Sequence, residues 1–370
     1  MIRVNEPLLT PEDIEAVTNV LGQGFLSGES PPIRAFEDAL ADLFRRRHAI
    51  AVSSGTAALD IMWALSEVAP GDEIIVPSFA IASTIFQAVR QGATLVFVDC
   101  DPITWNSSAE YIEPAITSKT KAILAVHTYG LPVDVLTVNK LVAGKNIAVY
   151  EDAAEAHGLQ VSGLLAGSLS DIAALSFYAN KNISSGEGGA LLTDSDDLAS
   201  RARSLRNLSF SKEARFVHHE LGWNYRMSAM QAALGLSQLK RLDEVINRRR
   251  EIANWYHDNL QAEPKIQLPP AQTTSGLNDF WVVGLTLAEE LSLSRSEVTA
   301  ALATHGIETR PFFHPLHLQP FLRKHPTRLT GALENSARLG SRGFYLPNSL
   351  AITKTQVNEI CARLTEVLNV

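Results

Sequence analysis

The sequence predicts an α/β protein of two domains: a large domain with a mostly parallel seven-stranded sheet between helices, and a smaller α+β domain after it. Seven short apolar runs alternate with helical stretches between residues 48 and 194. Strands separated by helices are joined by crossover connections, which place them parallel in one sheet. The 370 residues also exceed the length of one ordinary core. We expect a large domain over residues 1–250 and a small domain over residues 251–370.

Local signals predict the elements of the large domain. A first helix begins after Thr10, because this capping residue is followed by proline and two acids in the first turn. The strand candidates are rich in valine and isoleucine, as expected for strands buried on both faces. They are HAIAVSS, EIIVPS, TLVFVD, KAILAVH, IAVYED, DIAALSF and ALLTD.

The last third of the chain has a different order of elements. A long helical segment follows Tyr225, and the proline-rich stretch KIQLPPAQTTSG connects it to the rest. A strand, FWVVGLTL, comes next, then a helix that begins with the capping box Ser294-x-x-Glu297, and then an amphipathic final helix. This order predicts the small α+β domain.

Composition excludes several classes of protein. The net charge of −8 argues against a nucleic-acid or anionic membrane surface, and no apolar run approaches the length of a membrane span. The two cysteines, Cys100 and Cys361, lie far apart and form no CxxC motif. A disulfide framework or a zinc site is therefore not expected, and a reducing cytoplasm fits this cysteine usage.

One lysine stands out in the segment FYANKNISSGEGG. Lys181 has small or apolar neighbours instead of charged ones, and the run ends in glycines. A partly buried amine loses its charge easily and attacks a carbonyl or aldehyde carbon. The alternative is a surface lysine in a turn, which would be favoured if no other motif accompanied it.

Two further motifs do accompany this lysine. The turn SSGTAAL follows a strand and opens a helix, so Gly55, Thr56 and the helix N-terminus can cradle a phosphate. Asp152 ends the strand IAVYED, where it either pairs with a buried heterocyclic nitrogen or caps the next helix. Glu155 follows closely. Lysine, anion cradle and buried acid together form the set that a pyridoxal phosphate site needs.

Polar residues elsewhere are candidates for substrate recognition. His127 follows a strand end and is expected to converge on the same crevice. In LGWNYRMSAMQAALG, the residues before an apolar helix either anchor a phosphate or form a plain helix N-terminus. In RPFFHPLH, two histidines lack a third ligand nearby, so we expect polar substrate recognition and no metal site. These candidates are His127, Tyr225, Arg226, Arg310, His314 and His317.

These ordered motifs together resemble the DegT/DnrJ/EryC1/StrS family, the fold-type I, pyridoxal-phosphate-dependent sugar aminotransferases. The resemblance covers nearly the whole chain, from SGTAAL through VPSFAIAST, HTYGLPVD and EDAAEAHG to NYRM and TRPFFHPLH. Within the family, NKN…GEGG, NYRM and FFHPLH are similar to the GDP-perosamine synthase branch. The resemblance implies transfer of an amino group from L-glutamate to a nucleotide-linked 4-keto, sometimes 3-keto, sugar.

The resemblance also implies roles for individual residues and a homodimer whose active sites are shared between subunits. Lys181 would carry the cofactor, Asp152 would pair with its ring nitrogen, and Glu155 would lie near its phenolic oxygen. The remaining implied residues would hold the cofactor or its phosphate, with Asn224 reaching it from the partner subunit. They are Gly55, Thr56, Ala57, Ile81, Ser176 and Asn224.

Two departures from the family pattern bear on chemistry. Where relatives place an aromatic ring on the cofactor face, this chain has Ala80 and Ile81, which predicts aliphatic packing in place of stacking. A related dehydratase branch replaces the catalytic lysine with histidine, so Lys181 favours transamination. Alternative functions are amination of another keto sugar (UDP- or dTDP-linked, or octulosonate-type) or of a keto-inositol. A non-catalytic regulator that binds pyridoxal phosphate is a third.

Overall fold

The computed structural model describes residues 1–211 and 214–369. The helices are α1 (Pro11–Gly22), α2 (Pro31–Phe44), α3 (Gly55–Ser66), α4 (Phe86–Arg90), α5 (Ala109–Ile112), α6 (Val135–Val142), α7 (Asp196–Arg206), α8 (Ala229–Leu239), α9 (Leu242–Leu260), α10 (Arg295–Thr304), α11 (Glu334–Arg342) and α12 (Lys354–Leu368). The strands are β1 (His48–Val52), β2 (Glu73–Pro77), β3 (Thr94–Val98), β4 (Thr120–Val126), β5 (Ala148–Asp152), β6 (Gln160–Val161), β7 (Leu164–Leu165), β8 (Ile172–Ser176), β9 (Gly189–Thr193), β10 (Ile266–Gln267), β11 (Val283–Leu287), β12 (Arg310–Pro311), β13 (Thr327–Leu329) and β14 (Gly343–Leu346).

The large sheet has the strand order β1-β9-β8-β5-β4-β2-β3-β13. The six strands from β8 to β13 run parallel, whereas β9 is antiparallel to both β8 and β1. All seven predicted strands belong to it, which confirms the mostly parallel sheet. The sequence did not predict the eighth strand, β13, because three residues are too few to show a strand period. It pairs with β3 from far along the chain.

Helices cover both faces of this sheet because side chains alternate between the two faces of every strand. On one face, Ile50, Val52 and their neighbours on other strands pack against α3 and α7. On the opposite face, Ala49 and Ala51 pack with α2 and α8. A further cluster around Ile123 packs with α5 and α6 on that face. The sheet is therefore buried on both sides, as its apolar runs indicate.

A second sheet lies in the C-terminal part of the chain. Its strand order is β10-β11-β14-β12, all antiparallel, and it packs against α9, α10 and α12. The capping box predicted at the start of α10 forms, with the Ser294 N–H donating to Glu297 at 2.7 Å. The predicted boundary after residue 250 falls inside α9, and the division into two domains stays a prediction.

A mostly aromatic cluster joins the two sheets. Phe79 and Tyr129 come from loops of the large sheet, and they pack with Trp281, Phe312 and Tyr345 from the C-terminal part. In the described ranges, no helix combines the length and apolar character needed to cross a bilayer.

Candidate active site

A cavity of about 330 Å³ opens beyond the carboxyl ends of the parallel strands. Such strand ends are where ligands of open α/β sheets bind, because several polar loops converge there. The predicted site residues that line the cavity are Gly55, Thr56, Ile81, His127, Asp152, Glu155, Ser176, Lys181 and Arg310.

Lys181 projects its amine into this cavity from the loop between β8 and β9. Its main-chain N–H donates to Tyr178 O at 2.9 Å, which closes a tight turn. Its side chain is 10% exposed, and Nζ lies 3.4 Å from Glu155 Oε1. Burial lowers the pKa of Lys181, and the nearby carboxylates oppose that shift. An amine with a lowered pKa is more often neutral, and the neutral amine is the nucleophile.

Asp152 and Glu155 place two carboxyl groups near that amine. Asp152 is the last residue of β5, and its Oδ1 accepts the Ala154 N–H at 3.0 Å. Glu155 Oε2 accepts the main-chain N–H of Tyr129 at 2.9 Å, which fixes the side chain. Burial raises the pKa of both carboxyl groups, and the charge of Lys181 opposes the rise. A cationic ligand group would therefore stabilise the ionised carboxylates.

The N-terminus of α3 forms the opposite end of the cavity. Ser54 caps this helix, and its Oγ accepts the Ala57 N–H at 3.1 Å. The first-turn N–H groups of a helix lack partners within the helix, and its dipole favours anions there. Ala57 is buried beneath the cavity surface, so its N–H serves the cap in this structure.

Close main-chain packing makes this anion cradle possible. A Cβ on Gly55 would lie 2.7 Å from Ser176 Cβ, and a Cβ on Gly189 would lie 2.4 Å from Ser54 O. Both distances are shorter than side chains allow, so glycine is required at both positions. The GEGG run thus lets β9 pass directly beneath the start of α3, beside the hydroxyl of Ser176.

His127 lies in the cavity wall, but both of its ring nitrogens already have partners. Nδ1 accepts the Val133 N–H at 3.1 Å, so Nε2 carries the proton and donates to Glu151 at 3.1 Å. Glu151 also accepts main-chain N–H groups from Gly167 and Leu169. His127 can therefore offer a ligand only its ring. Sequence analysis missed Glu151, although its place beside Asp152 at a strand end was a usable signal.

Aromatic residues from the C-terminal part form the remaining wall. Trp281, Phe313 and Tyr345 line the cavity beside Arg310. Sequence analysis missed these three rings, because they stand in apolar runs that look like ordinary core. Ile81 lies on the rim and is 45% exposed, whereas Ala80 is fully buried and does not line the cavity.

Five predicted residues lie away from the cavity in one chain. The segment Asn224 to Arg226 runs beside the end of β1, with Tyr225 bonded to Asp60 at 3.0 Å. Asn224 is exposed, and Arg226 contacts Asn207.

The other two of these five predicted residues, His314 and His317, follow β12. His314 is exposed, with Nε2 3.4 Å from Leu318 O, and His317 bonds Ser78. Burial lowers the pKa of His317. No group of potential metal ligands occurs in the described part of the chain.

The residues present fit the cofactor that the resemblance implies. A phosphate suits the helix N-terminus of α3 and the hydroxyls of Ser54 and Ser176. A pyridine ring nitrogen suits Asp152, whose carboxyl group is 3% exposed and accepts only a main-chain N–H among its described hydrogen bonds. An aldehyde suits the buried amine of Lys181.

Comparison with known proteins supports the same conclusion. The sequence pattern of the DegT/DnrJ/EryC1/StrS aminotransferase family matches residues 7–365. GDP-perosamine synthase from Caulobacter vibrioides is 37% identical over 367 residues, covering 99% of this chain and 98% of that protein. The GDP-perosamine synthase of Escherichia coli O157:H7 is 35% identical over 371 residues, with coverage of 99% and 98%.

A solved structure shows the same fold. GDP-4-keto-6-deoxymannose-3-dehydratase, crystallised with GDP-perosamine, aligns with a TM-score of 0.92 at 23% identity, covering 98% of this chain and all of that one. This identity supports a shared fold only. The sequence relatives and the family pattern confirm the family resemblance that the motifs predicted. The chain belongs to the DegT/DnrJ/EryC1/StrS aminotransferase family and is a pyridoxal-phosphate-dependent aminotransferase.

Proposed function

We propose that this protein transfers an amino group from L-glutamate to a GDP-linked 4-keto-6-deoxy sugar. One observation carries the proposal: Lys181, Asp152 and Glu155 line one cavity together with the N-terminus of α3. Relatives at 37% and 35% identity over nearly the whole chain are GDP-perosamine synthases, which supports this sugar class. The product would serve the synthesis of surface polysaccharide.

Each residue has a defined task in this proposal. Pyridoxal phosphate, when bound, supplies an aldehyde to receive the amine and a ring that takes up electrons from the substrate carbon. Lys181 binds the cofactor and then moves a proton to or from the reacting carbon. Asp152 holds a positive charge on the ring nitrogen, because its buried carboxylate gains stability from a cation. Glu155 orients the amine and the phenolic oxygen.

We assign the wall from the C-terminal part to substrate recognition. Arg310 brings a guanidinium to the cavity edge, where it can bind a carboxylate or phosphate in a bidentate way. Phe313 and Tyr345 present apolar surface for the deoxy face of a sugar. His314 and His317 stand further along the same segment, and we propose that they contact the part of the substrate that extends beyond this cavity.

We also propose a homodimer with shared active sites. Asn224 is exposed and lies outside its own cavity, which supports a contact with the cavity of a partner subunit. The preceding loop exposes two large apolar side chains: Phe216 is 82% exposed and Leu221 is 92% exposed. Burial of such side chains in an interface is favourable. Tyr225 and Arg226 flank Asn224 and would fix its direction.

We propose the cytoplasm as the place of action. Cys100 and Cys361 are both free thiols and both buried, which fits a reducing compartment. A nucleotide-linked sugar as substrate is consistent with that location.

The test is direct turnover with purified protein. Protein loaded with pyridoxal phosphate is mixed with L-glutamate and GDP-4-keto-6-deoxymannose, and mass spectrometry follows the amino sugar and 2-oxoglutarate. We expect both products in equal amounts. The dTDP- and UDP-linked keto sugars, an octulosonate-type keto sugar and a keto-inositol are tested in parallel. Turnover with one of these alone would contradict the GDP-sugar proposal, and no turnover with any, with no change of the visible spectrum by glutamate, would favour a regulator.

A further inference from the structure

The aromatic wall contains one ring that touches the amine of Lys181. We propose that Trp281 is a positioning residue for this lysine: its indole face holds the charged amine beside Glu155 whenever the amine has no covalent partner. The amine nitrogen lies 3.8 Å from the centre of the indole ring. A cation at this distance from a tryptophan face is attracted by the negative charge density of the ring. The inference rests on the proposed function only in taking Lys181 as the cofactor-binding residue.

The edge of the indole ring is fixed to the lysine loop itself. Trp281 Nε1 donates to the main-chain oxygen of Asn180 at 2.9 Å. Asn180 directly precedes Lys181, so the anchor and the amine move together. The side-chain nitrogen of Asn5 also approaches this oxygen, at 3.4 Å. Because the edge is anchored and Trp281 is 4% exposed, the ring is held with its face toward the amine.

The same ring is connected to the carboxylate that pairs with the lysine. Trp281 stacks against Tyr129 with the centroids 6.1 Å apart and the planes at 30°. The main-chain N–H of Tyr129 donates to Glu155, whose other oxygen lies 3.4 Å from the amine. These contacts therefore form a closed ring of four residues: Trp281, Tyr129, Glu155 and Lys181. A substitution of Trp281 would change both the position of the Lys181 amine and the stability of its charged form.

The indole ring should have a measurable effect on the pKa of the Lys181 amine, because several charges already act on that amine. Burial lowers the pKa of Lys181, while Glu155 and Asp152 raise it. An indole face favours the charged amine and so raises the pKa further. Loss of the ring therefore lowers the pKa of Lys181. The other titratable groups that face the amine or line its cavity are His127, His157, Tyr178, Glu187, Arg310 and Tyr345.

This contact matters at one stage of the reaction. The cofactor would supply an aldehyde that holds the Lys181 amine during part of the cycle and leaves it free while substrate is bound. The free amine would then carry the proton that the reacting carbon gives up. Trp281 and Glu155 together provide a fixed place for that free amine, so that it stays within reach of the reacting carbon.

The test uses cofactor-free protein and pyridoxal phosphate as the probe. The rate at which the visible absorption band of the lysine-bound cofactor appears is measured across the pH range, and its midpoint reports the pKa of Lys181. We expect Trp281→Leu and Trp281→Met to shift the midpoint down by about 0.5 to 1.5 units. Trp281→Phe keeps a ring face and should show a smaller shift. Methionine fills the space without a ring, so it serves if leucine impairs folding.

The matched control is Trp105→Phe. Trp105 is buried in the same aromatic cluster and packs on Tyr129 with the centroids 6.1 Å apart, but it makes no described contact with Lys181. Its midpoint should equal that of the parent protein. An unchanged midpoint in Trp281→Met, or an equal shift in Trp105→Phe, overturns the inference. Failure of the proposed function would give a different result from failure of this inference. The visible absorption band of the lysine-bound cofactor would then be absent in the parent protein or persist in Lys181→Ala.

Discussion

The two sides of the cavity differ in how the chain builds them. The side made by strand ends and the α3 N-terminus consists of short sequence motifs, each a few residues long, that carry Thr56, Asp152 and Lys181. The side made by the C-terminal part includes residues from separate segments, such as Trp281 and Arg310. In the proposed function, the first side performs the chemistry that is the same for every substrate. The second side, apart from Trp281, contacts the parts of the substrate that differ, so substitutions on the two sides should have different kinetic effects.

Loss of the lysine amine should have the largest effect. We expect Lys181→Ala to lose at least about a thousandfold in kcat, because both the covalent link and the proton carrier are removed. The measurement is initial rate with saturating glutamate and keto sugar. Lys140→Ala, on the exposed part of α6, is the matched control and should keep full activity. Activity of Lys181→Ala within tenfold of the parent protein would contradict the assignment.

Neutralising the strand-end acid should have the next largest effect. We expect Asp152→Asn to lower kcat by about 10- to 100-fold, the value of one charged hydrogen bond in a buried site. KM for both substrates should change little, because the carboxylate would keep the ring nitrogen protonated for the uptake of electrons and is not expected to contact either substrate. Steady-state kinetics at several pH values provide the check. A rise in KM at constant kcat would instead place Asp152 in substrate binding.

Substitution of Asp279 tests how the free energy of unfolding depends on pH through a buried carboxyl group near the second side. It is fully buried, and burial raises its pKa to about 7, although Arg250 pairs with it at 2.7 Å. Its pKa in the unfolded chain is lower, so its stabilising contribution is complete at acidic pH and is lost as the pH rises through 7. Relative to Asp279→Asn, the parent protein should lose about 2 kcal/mol between pH 5 and pH 7.

Denaturant unfolding at both pH values measures that difference for the two proteins. Equal pH dependence in the parent protein and in Asp279→Asn would show that this carboxyl group does not titrate in the range. Asp279 precedes Trp281, a residue of the second side, by two residues.

The smallest effect is expected at the substrate edge. Arg310→Ala should raise KM for one of the two substrates by about 10-fold and leave kcat nearly unchanged, because it removes binding energy that the ground state and transition state share. Arg310→Lys should recover part of the loss. Arg323→Ala, an exposed arginine away from the cavity, is the control. A fall in kcat at constant KM would move Arg310 to the catalytic side.

The sequence pointed to the residues that meet on the first side because their signals are local. A buried strand followed by a glycine turn or an acid shows in a few consecutive residues, as at Gly55 and Asp152. All seven predicted strands of the large sheet followed from the same logic. The second side was harder, because Trp281, Phe313 and Tyr345 meet only after the chain has folded, and an apolar run gives no sign of which ring faces a ligand. Strand β13 escaped prediction because its three residues are too few to show a strand period.

The histidines show most clearly what cannot be predicted from the sequence about a functional site. His127 was predicted as a substrate-binding candidate, yet Val133 and Glu151 already take both of its ring nitrogens. His157 has Nδ1 bonded to the Ile183 N–H at 3.3 Å, and burial lowers its pKa to about 3. Spacing in sequence places a histidine near a site, but only its hydrogen-bond partners decide whether it is available.

The most direct test of the central claim locates the covalent bond. Protein loaded with pyridoxal phosphate is reduced with borohydride, digested and mapped by mass spectrometry. The account predicts one pyridoxyl group per chain, attached to the peptide that contains Lys181. A modified lysine elsewhere, or full turnover by protein in which Lys181 is never modified, would contradict it.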